Sequence, residues 1–415
     1  MSSVSILKLS AVQVLALACI GAALGAWLKR RISLLDRLNI PAPVVGGLVF
    51  ALITLALRDR FLNLEMDLVL RDILMIAFFT SVGMSASLRL LKAGGLQVLL
   101  FYALASAGTV LQNLLGVGLA QLLGLNPLLG IICGSVTMAG GPATALAFGS
   151  TFERLGVEGA VTVGVAAATF GIVAGGLLGG WVGGSLIERF KLKPQSAVAR
   201  DLRHESDALV YSGDSSNLEV TPLSSPSQSE HSPLFRTVIL IAVAMGAGSV
   251  IGLGIEKLGL VLPAYIGAML VAALLRNLDD RFHWFGVSQH LVDAVGAISL
   301  TIFIVMALLT LRLWELVHLA LPMLAILMLE VVLVWVLCIT VTYRTMGKDY
   351  DAAVMSGGFC GFMLGTTANA LACMDVLVRK YGPAPRAYIV VPLVGAFLID
   401  FSNALIITTF MNLFR

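Results

Sequence analysis

Residues 134–148 read Gly134-Ser-Val-Thr-Met-Ala-Gly-Gly-Pro-Ala-Thr-Ala-Leu-Ala-Phe148 and fall inside an apolar segment running from 127 to 149. Adjacent glycines and a proline each weaken a helix interior, so an uninterrupted membrane helix is a poor reading of this stretch. A second passage, Ser356 to Met374 (SGGFCGFMLGTTANALACM), has the same character about half a chain later. A backbone break at membrane depth leaves N–H and C=O groups unpaired, which is costly unless the break is buried in protein or lines a cavity. Such breaks therefore point to a site.

The chain around them reads as a membrane protein. Of its 415 residues 58% are apolar and 12% charged, and apolar stretches recur at 7–28, 43–57, 73–88, 96–123, 127–149, 159–187, 236–255, 261–275, 291–311, 316–342, 352–376 and 387–413. Long continuous runs argue for helices, because membrane barrels show short alternating segments. The expected fold is an all-α polytopic membrane protein. Its first segment is followed by Lys29, Arg30 and Arg31, whereas a cleaved signal peptide carries its positive charge in front. That segment reads as a retained helix with its N-terminus outside.

Residues 188–235 form a polar tract rich in Ser, Asp, Glu and Pro, read as a cytoplasmic linker between an N-terminal half (1–187) and a C-terminal half (236–415). The halves echo one another. Pro43-Val-Val-Gly-Gly47 resembles Pro263-Ala-Tyr-Ile-Gly267, Leu88-Arg-Leu90 recurs as Leu311-Arg-Leu313, and Pro142-Ala-Thr-Ala-Leu-Ala147 as Thr367-Ala-Asn-Ala-Leu-Ala372. If all twelve segments cross with the N-terminus outside, 12 of the 27 basic residues face inward and 15 outward. If the two glycine-rich passages instead dip in and return, 19 face inward and 8 outward, as the positive-inside rule asks. Each half then has five crossings and one re-entrant element, and an odd number of crossings makes the repeats inverted. Both termini come out outside.

Half-helix N-termini suit a carboxylate, and unwound carbonyls and hydroxyls suit sodium. Gly140 and Gly141 permit the turn, and Ser135, Thr137 and Thr144 supply oxygens; Gly365, Thr366, Thr367 and Asn369 match them in the second passage. Asp400 sits in the apolar run VGAFLIDFSNALII, where a carboxylate is expensive and asks for a cation; Asn403 shares its helix face. We expect the substrate at Ser135, Gly140, Gly141, Thr144, Gly365, Thr366 and Thr367, and sodium at Thr137, Asn369, Asp400 and Asn403.

Other features are weighed against plainer roles. Glycines four apart in segment six (Gly171, Gly175, Gly179, Gly183) mark a helix-contact face, within one subunit or between two. Gln112 and Asn113 interrupt segment four and read first as interhelical hydrogen-bonding groups, with lining of the cavity as the alternative. Glu330 reads as either a functional acid or a hydrogen-bonding one. The five cysteines lie in apolar segments without metal-ligand spacing and read as packing residues. His283 and His290 sit near Trp284 as interfacial residues. No catalytic triad, phosphate loop or transition-metal set is present in the sequence, and charges confined to loops give no reason to expect nucleic acid. No cofactor beyond the coupling ion is expected, and an enzyme reading is weak.

The runs LRDILMIAFFTSVGMSASL (70–88), GLNPLLGIICGSVTMAGG (124–141), ATFGIVAGGLLGG (168–180), LALPMLAILMLE (319–330), MGKDYDAAVMSGG (346–358) and VVPLVGAFLIDFSNALII (390–407) closely resemble the bacterial sodium/glutamate symporter family. The resemblance implies a carrier in a bacterial inner membrane that imports glutamate with sodium. It also implies two inverted repeats, a homodimer and elevator-like movement. The sequence departs from the family pattern at Pro142, Ala143, Phe359 and Met363, and carries Glu330 where Gln is familiar. Sodium coupling is therefore the safer expectation, with a related anionic amino acid or other small organic acid as the alternative cargo. A passive channel is the competing class; two different elements facing each other within one chain favour a carrier.

Overall fold

A computed structural model describes residues 5–38, 40–58, 62–89, 95–194, 233–257, 263–312 and 320–415. Most of the linker, and Leu313 of the second Leu-Arg-Leu motif, lie outside the described residues. Among the described residues each expected apolar run forms helix, save residues 7–9 of the first, which are strand. In chain order these are α1 (Ala11–Arg31), α2 (Ser33–Arg37), α3 (Ala42–Leu57), α4 (Val69–Ser85), α5 (Gly95–Leu122), α6 (Pro127–Val136), α7 (Gly141–Arg154) and α8 (Ala160–Arg189). The second half supplies α9 (Pro233–Glu256), α10 (Ala264–Phe282), α11 (Gln289–Leu309), α12 (Ala320–Thr345), α13 (Tyr350–Met363), α14 (Thr367–Tyr381), α15 (Pro385–Leu393) and α16 (Ile399–Phe414). Six of them, α1, α5, α8, α9, α11 and α12, are long and apolar enough to cross a bilayer. The chain is a multi-pass helical membrane protein.

The departure from helix among the described residues is a short parallel pair, β1 (Ser5–Leu9) with β2 (Leu62–Met66). Strand β2 (Leu-Asn-Leu-Glu-Met) alternates apolar and polar residues, the period of a strand, while β1 (Ser-Ile-Leu-Lys-Leu) is mostly apolar. Lys8 and Glu65 pair at 3.2 Å on the exposed side, while Leu9 and Met66 pack on a small core with Val14, Ala18 and Met306.

The helices form two bundles, and each bundle draws on both halves of the sequence. In the first, α1 crosses α3 where Gly25 abuts the backbone of Ala42 and Gly46, and α9 crosses α10 where Gly248 abuts that of Gly267 and Ala268. Only glycine lets backbones approach so closely. Across the halves, α4 packs on α10 at Gly83 and on α11 through Gly296 and Ser81, while α3 packs on α11 at Gly47 and Leu308.

The second bundle holds α5–α8 and α12–α16. Here α6 lies along α5 through Gly116 and Gly130, and α7 along α8 through Gly149 and Val161. Meanwhile α13 and α14 run antiparallel, with Gly361 against Cys373, Gly358 against Met374 and Gly357 against Leu377. Their outer ends are fastened together: Arg386 pairs with Asp349, its N–H donates to Asp351 Oδ1 at 3.0 Å, and the Tyr350 hydroxyl donates to the Gly382 carbonyl. Tyr265 of α10 stacks on Phe79 of α4 at 4.1 Å within the first bundle and, between the bundles, meets the edge of Phe148 from α7 at 5.5 Å.

Candidate functional site

Both glycine-rich passages are broken where the sequence weakens them, and the two breaks touch. Helix α6 loosens through residues 132–136, with Gly134 off the helical path at φ −86° and ψ −132°, and α7 starts afresh at Gly141. Gly141 has φ +64°, the left-handed region that glycine enters freely. A methyl group there would stand 3.0 Å from Thr366 Cγ2 and 3.4 Å from the Gly365 carbonyl oxygen. Pro142 occupies the first turn of α7, where its missing N–H has no intrahelical partner to lose. Thr366 caps α14, its hydroxyl accepting from Asn369 N–H at 3.4 Å. Two helix N-termini thus begin at one point, with the partial positive charge of their dipoles. The lip of this point, Gly140, Ala143, Thr366 and Thr367, is half-buried, and Ala368 is exposed.

One turn away, polar groups gather on the backbone of Ser135. Its N–H donates to Asn113 Oδ1 at 3.0 Å, and its carbonyl accepts from Asn403 Nδ2 at 3.1 Å. Ser135 Oγ, Asn403 Oδ1, Gln112 Oε1 and Asn113 Nδ2 are buried and make no hydrogen bond with the described residues. Three of the four are oxygens, the hard donors that a sodium ion takes. Asp400 lies three residues before Asn403 on α16, and its carboxylate makes no hydrogen bond or ion pair with the described residues.

Other residues expected at the site are turned to packing. Thr137 Oγ1 donates to the Ile132 carbonyl at 2.7 Å, within its own helix. Thr367 Oγ1 donates to the Gly395 carbonyl at 2.6 Å, holding α14 to the turn between α15 and α16. Asn369 Nδ2 donates to the carbonyls of Ile172 and Gly361 at 3.1 and 3.2 Å, joining α14 to α8 and α13. Thr144 is buried under Gly140, where a methyl group would stand 2.6 Å from its Oγ1. The structure therefore brings Gly141, Gly365 and Thr366 together, and separately Ser135 and Asn403.

Asn113 and Gln112 contribute more than their sequence reading assigned. They do bond between helices, but to the breaks themselves: Asn113 holds Ser135, and Gln112 Nε2 donates to the Met363 carbonyl at 2.9 Å, at the end of α13. The signal was two adjacent amides in an otherwise apolar segment. The glycine face of α8 is resolved as well, and it is internal. Gly171 faces the Leu364 carbonyl, Gly175 faces Asn369, Gly179 faces Cys373 and Gly357, and Gly183 faces Leu377.

Paired discontinuous helices meeting in the interior of a multi-pass bundle define the architecture of a membrane carrier. The sodium/glutamate symporter family profile matches residues 7–383, and the chain belongs to that family. A sodium/glutamate symporter of Escherichia coli strain K12 is 38% identical over 393 residues, 94% of each chain. That of Haemophilus influenzae is 35% identical over 400 residues, 95% of each. Among solved structures, a sodium proton antiporter of Methanocaldococcus jannaschii aligns with a TM-score of 0.43 and 15% identity over 97% of this chain and 98% of that one, too loose to bear on the fold. The family is one of transporters, not enzymes.

Proposed function

We propose that the chain is a sodium-coupled symporter importing glutamate or a related anionic amino acid across a bacterial inner membrane. The observation that carries this is the meeting of α7 and α14 at Gly141 and Thr366, two positive helix ends facing one accessible point. A carboxylate group of the substrate sits there, against Gly140, Gly141, Gly365 and Thr366, with Thr144 and Thr367 shaping the walls. Sodium takes Asn403 Oδ1 and Asp400, with Ser135 Oγ between the ion and the substrate; Thr137 and Asn369 hold the breaks in shape around them.

The architecture proposed is two inverted repeats, 1–187 and 236–415, joined by the cytoplasmic linker 188–235, with both termini outside. Supporting it, the crossing at Gly25 and Gly46 has a counterpart at Gly248 and Gly267, and α13 and α14 begin and end on one side. The second bundle moves as an elevator against the first, and the assembly is a homodimer. Single cysteines introduced within 191–234 should react with reagents on the cytoplasmic side only; labelling from outside overturns the topology.

Energetics set the stoichiometry. A tenfold sodium gradient supplies about 1.4 kcal/mol per ion, and a potential of about 100 mV supplies about 2.3 kcal/mol per net charge moved. One sodium with a monoanion moves no charge and supports about tenfold accumulation; two give about 5.1 kcal/mol, several thousandfold. At least two sodium ions per substrate are expected. The test is uptake into proteoliposomes under an imposed sodium gradient, competed by amino acids and dicarboxylates. Accumulation indifferent to sodium overturns the proposal, and reversal potentials fitting one-to-one coupling overturn the stoichiometry.

A further inference from the structure

Glu330 sits near the middle of α12, fully buried, and neither carboxylate oxygen has a hydrogen-bond partner among the described residues. Its neighbours one turn away on α12, Ile326, Leu327 and Val334, are buried and apolar. Helix α12 packs against α5, α6, α8 and α13. Of the titratable groups on these helices, Cys133 of α6 is the one in electrostatic contact with Glu330. Tyr102 of α5, Glu188 and Arg189 of α8, Tyr350, Asp351 and Cys360 of α13, and Tyr343 and Arg344 of α12 itself make no such contact among the described residues.

A carboxylate ionised in such surroundings lacks both water and a counter-charge, a penalty of several kcal/mol in real proteins. A thiol and aliphatic side chains are not donors for sodium, which leaves the proton as the cation this position accepts. From the burial of both oxygens without a cationic partner, we infer that Glu330 is a proton-binding site, and that one proton travels inward on it with the substrate in each transport cycle. The proton is taken from water on the outer side, forming the O–H bond, and is given up to water on the inner side, breaking that bond, once movement of the second bundle against the first has carried Glu330 inward; no electrons move. Glu330 belongs to the bundle that holds both breaks, so it moves with them.

The coupling rests on the symport reading above; the protonation of Glu330 does not. The test uses the full chain in proteoliposomes with a lumenal pH dye, under a fixed sodium gradient. An external pH one unit below the lumenal pH should raise the limiting accumulation about tenfold, the equivalent of one ion moving down a tenfold gradient. The lumen should acidify with uptake, and E330Q should lose both responses. Independently, the infrared spectrum of the purified protein should contain a protonated carboxylic acid carbonyl band that is missing from E330Q. Sodium-driven uptake that ignores the pH gradient overturns the coupling. A spectrum lacking the Glu330-dependent band overturns the site. If the wild type shows no sodium-driven uptake, the symport reading falls, and the infrared band alone decides whether Glu330 holds a proton.

Discussion

Gly141 has a left-handed φ of +64° and stands against Thr366 and Gly365, so a side chain there meets strain and a close neighbour together. Forcing a non-glycine residue into that conformation costs about 1–2 kcal/mol, and the methyl group pushes the two breaks apart. G141A should still assemble in the membrane but lose most uptake, a comparison made by detergent-solubilised monodispersity beside transport rate. Asn403 poses a different case, since its amide satisfies the Ser135 carbonyl while its oxygen is free for an ion. N403A removes one of the two hydrogen bonds that this carbonyl accepts and leaves the one from Gly140 N–H at 3.0 Å, a loss of about 1 kcal/mol. The sodium concentration for half-maximal uptake should rise severalfold with little change in maximal rate, and a variant with unaltered sodium dependence removes Asn403 from the ion site. At this scale the sequence was informative about backbone and less so about side chains. Glycine at 141 announces a turn because few other residues enter it, whereas the hydroxyls of Thr137 and Thr367 look alike in sequence to that of Ser135. Which carbonyl each reaches depends on neighbours far along the chain.

At the scale of elements, α8 carries two kinds of glycine. Gly175 and Gly179 are tightly enclosed: an added methyl group would lie 2.8 Å from Asn369 Nδ2 at the first, and 2.7 Å from the Gly357 carbonyl oxygen at the second. Gly180, one residue on, has its nearest neighbour at 3.6 Å, ordinary contact. G179A should therefore lower the yield of folded protein measured by fluorescence-detected size exclusion, while G180A should be tolerated. The apolar runs were legible because an element surrounded by lipid and protein must be hydrophobic along its whole length. The breaks were legible because glycine and proline interrupt that length. The partner of the α8 glycine face was not legible, since a small-residue stripe has the same appearance whether it meets its own chain or a copy. Strands β1 and β2 escaped notice for a related reason: β1 runs into the first apolar segment, and five alternating residues in β2 are too few to stand out beside twenty apolar ones.

For the whole molecule, the division that matters runs across the halves of the sequence. The two halves of the sequence exchange helices to build two bundles, one joined by glycine crossings and one holding both breaks, in contact where Tyr265, stacked on Phe79, meets Phe148. Relative movement of the bundles must slide or part this aromatic contact. In a background lacking the five native cysteines, a bridge between Cys residues at 148 and 265 should arrest uptake reversibly while sparing substrate protection against thermal unfolding. Undiminished uptake in the bridged protein is incompatible with elevator movement at this interface.

Gln112 and Asn113 are consecutive on α5, yet one is bonded to the end of α13 and the other to the loosened turn of α6. Successive side chains on a helix point about 100° apart, so this single turn works as a bell-crank between two arms that share no direct bond of their own there. A ligand that shifts one arm rotates the pivot felt by the other. On the proposed assignment linkage requires reciprocity: whatever factor sodium near Ser135 adds to the affinity at the α14 N-terminus, substrate there returns to sodium. Obligatory co-binding can in this way be written into two adjacent amides.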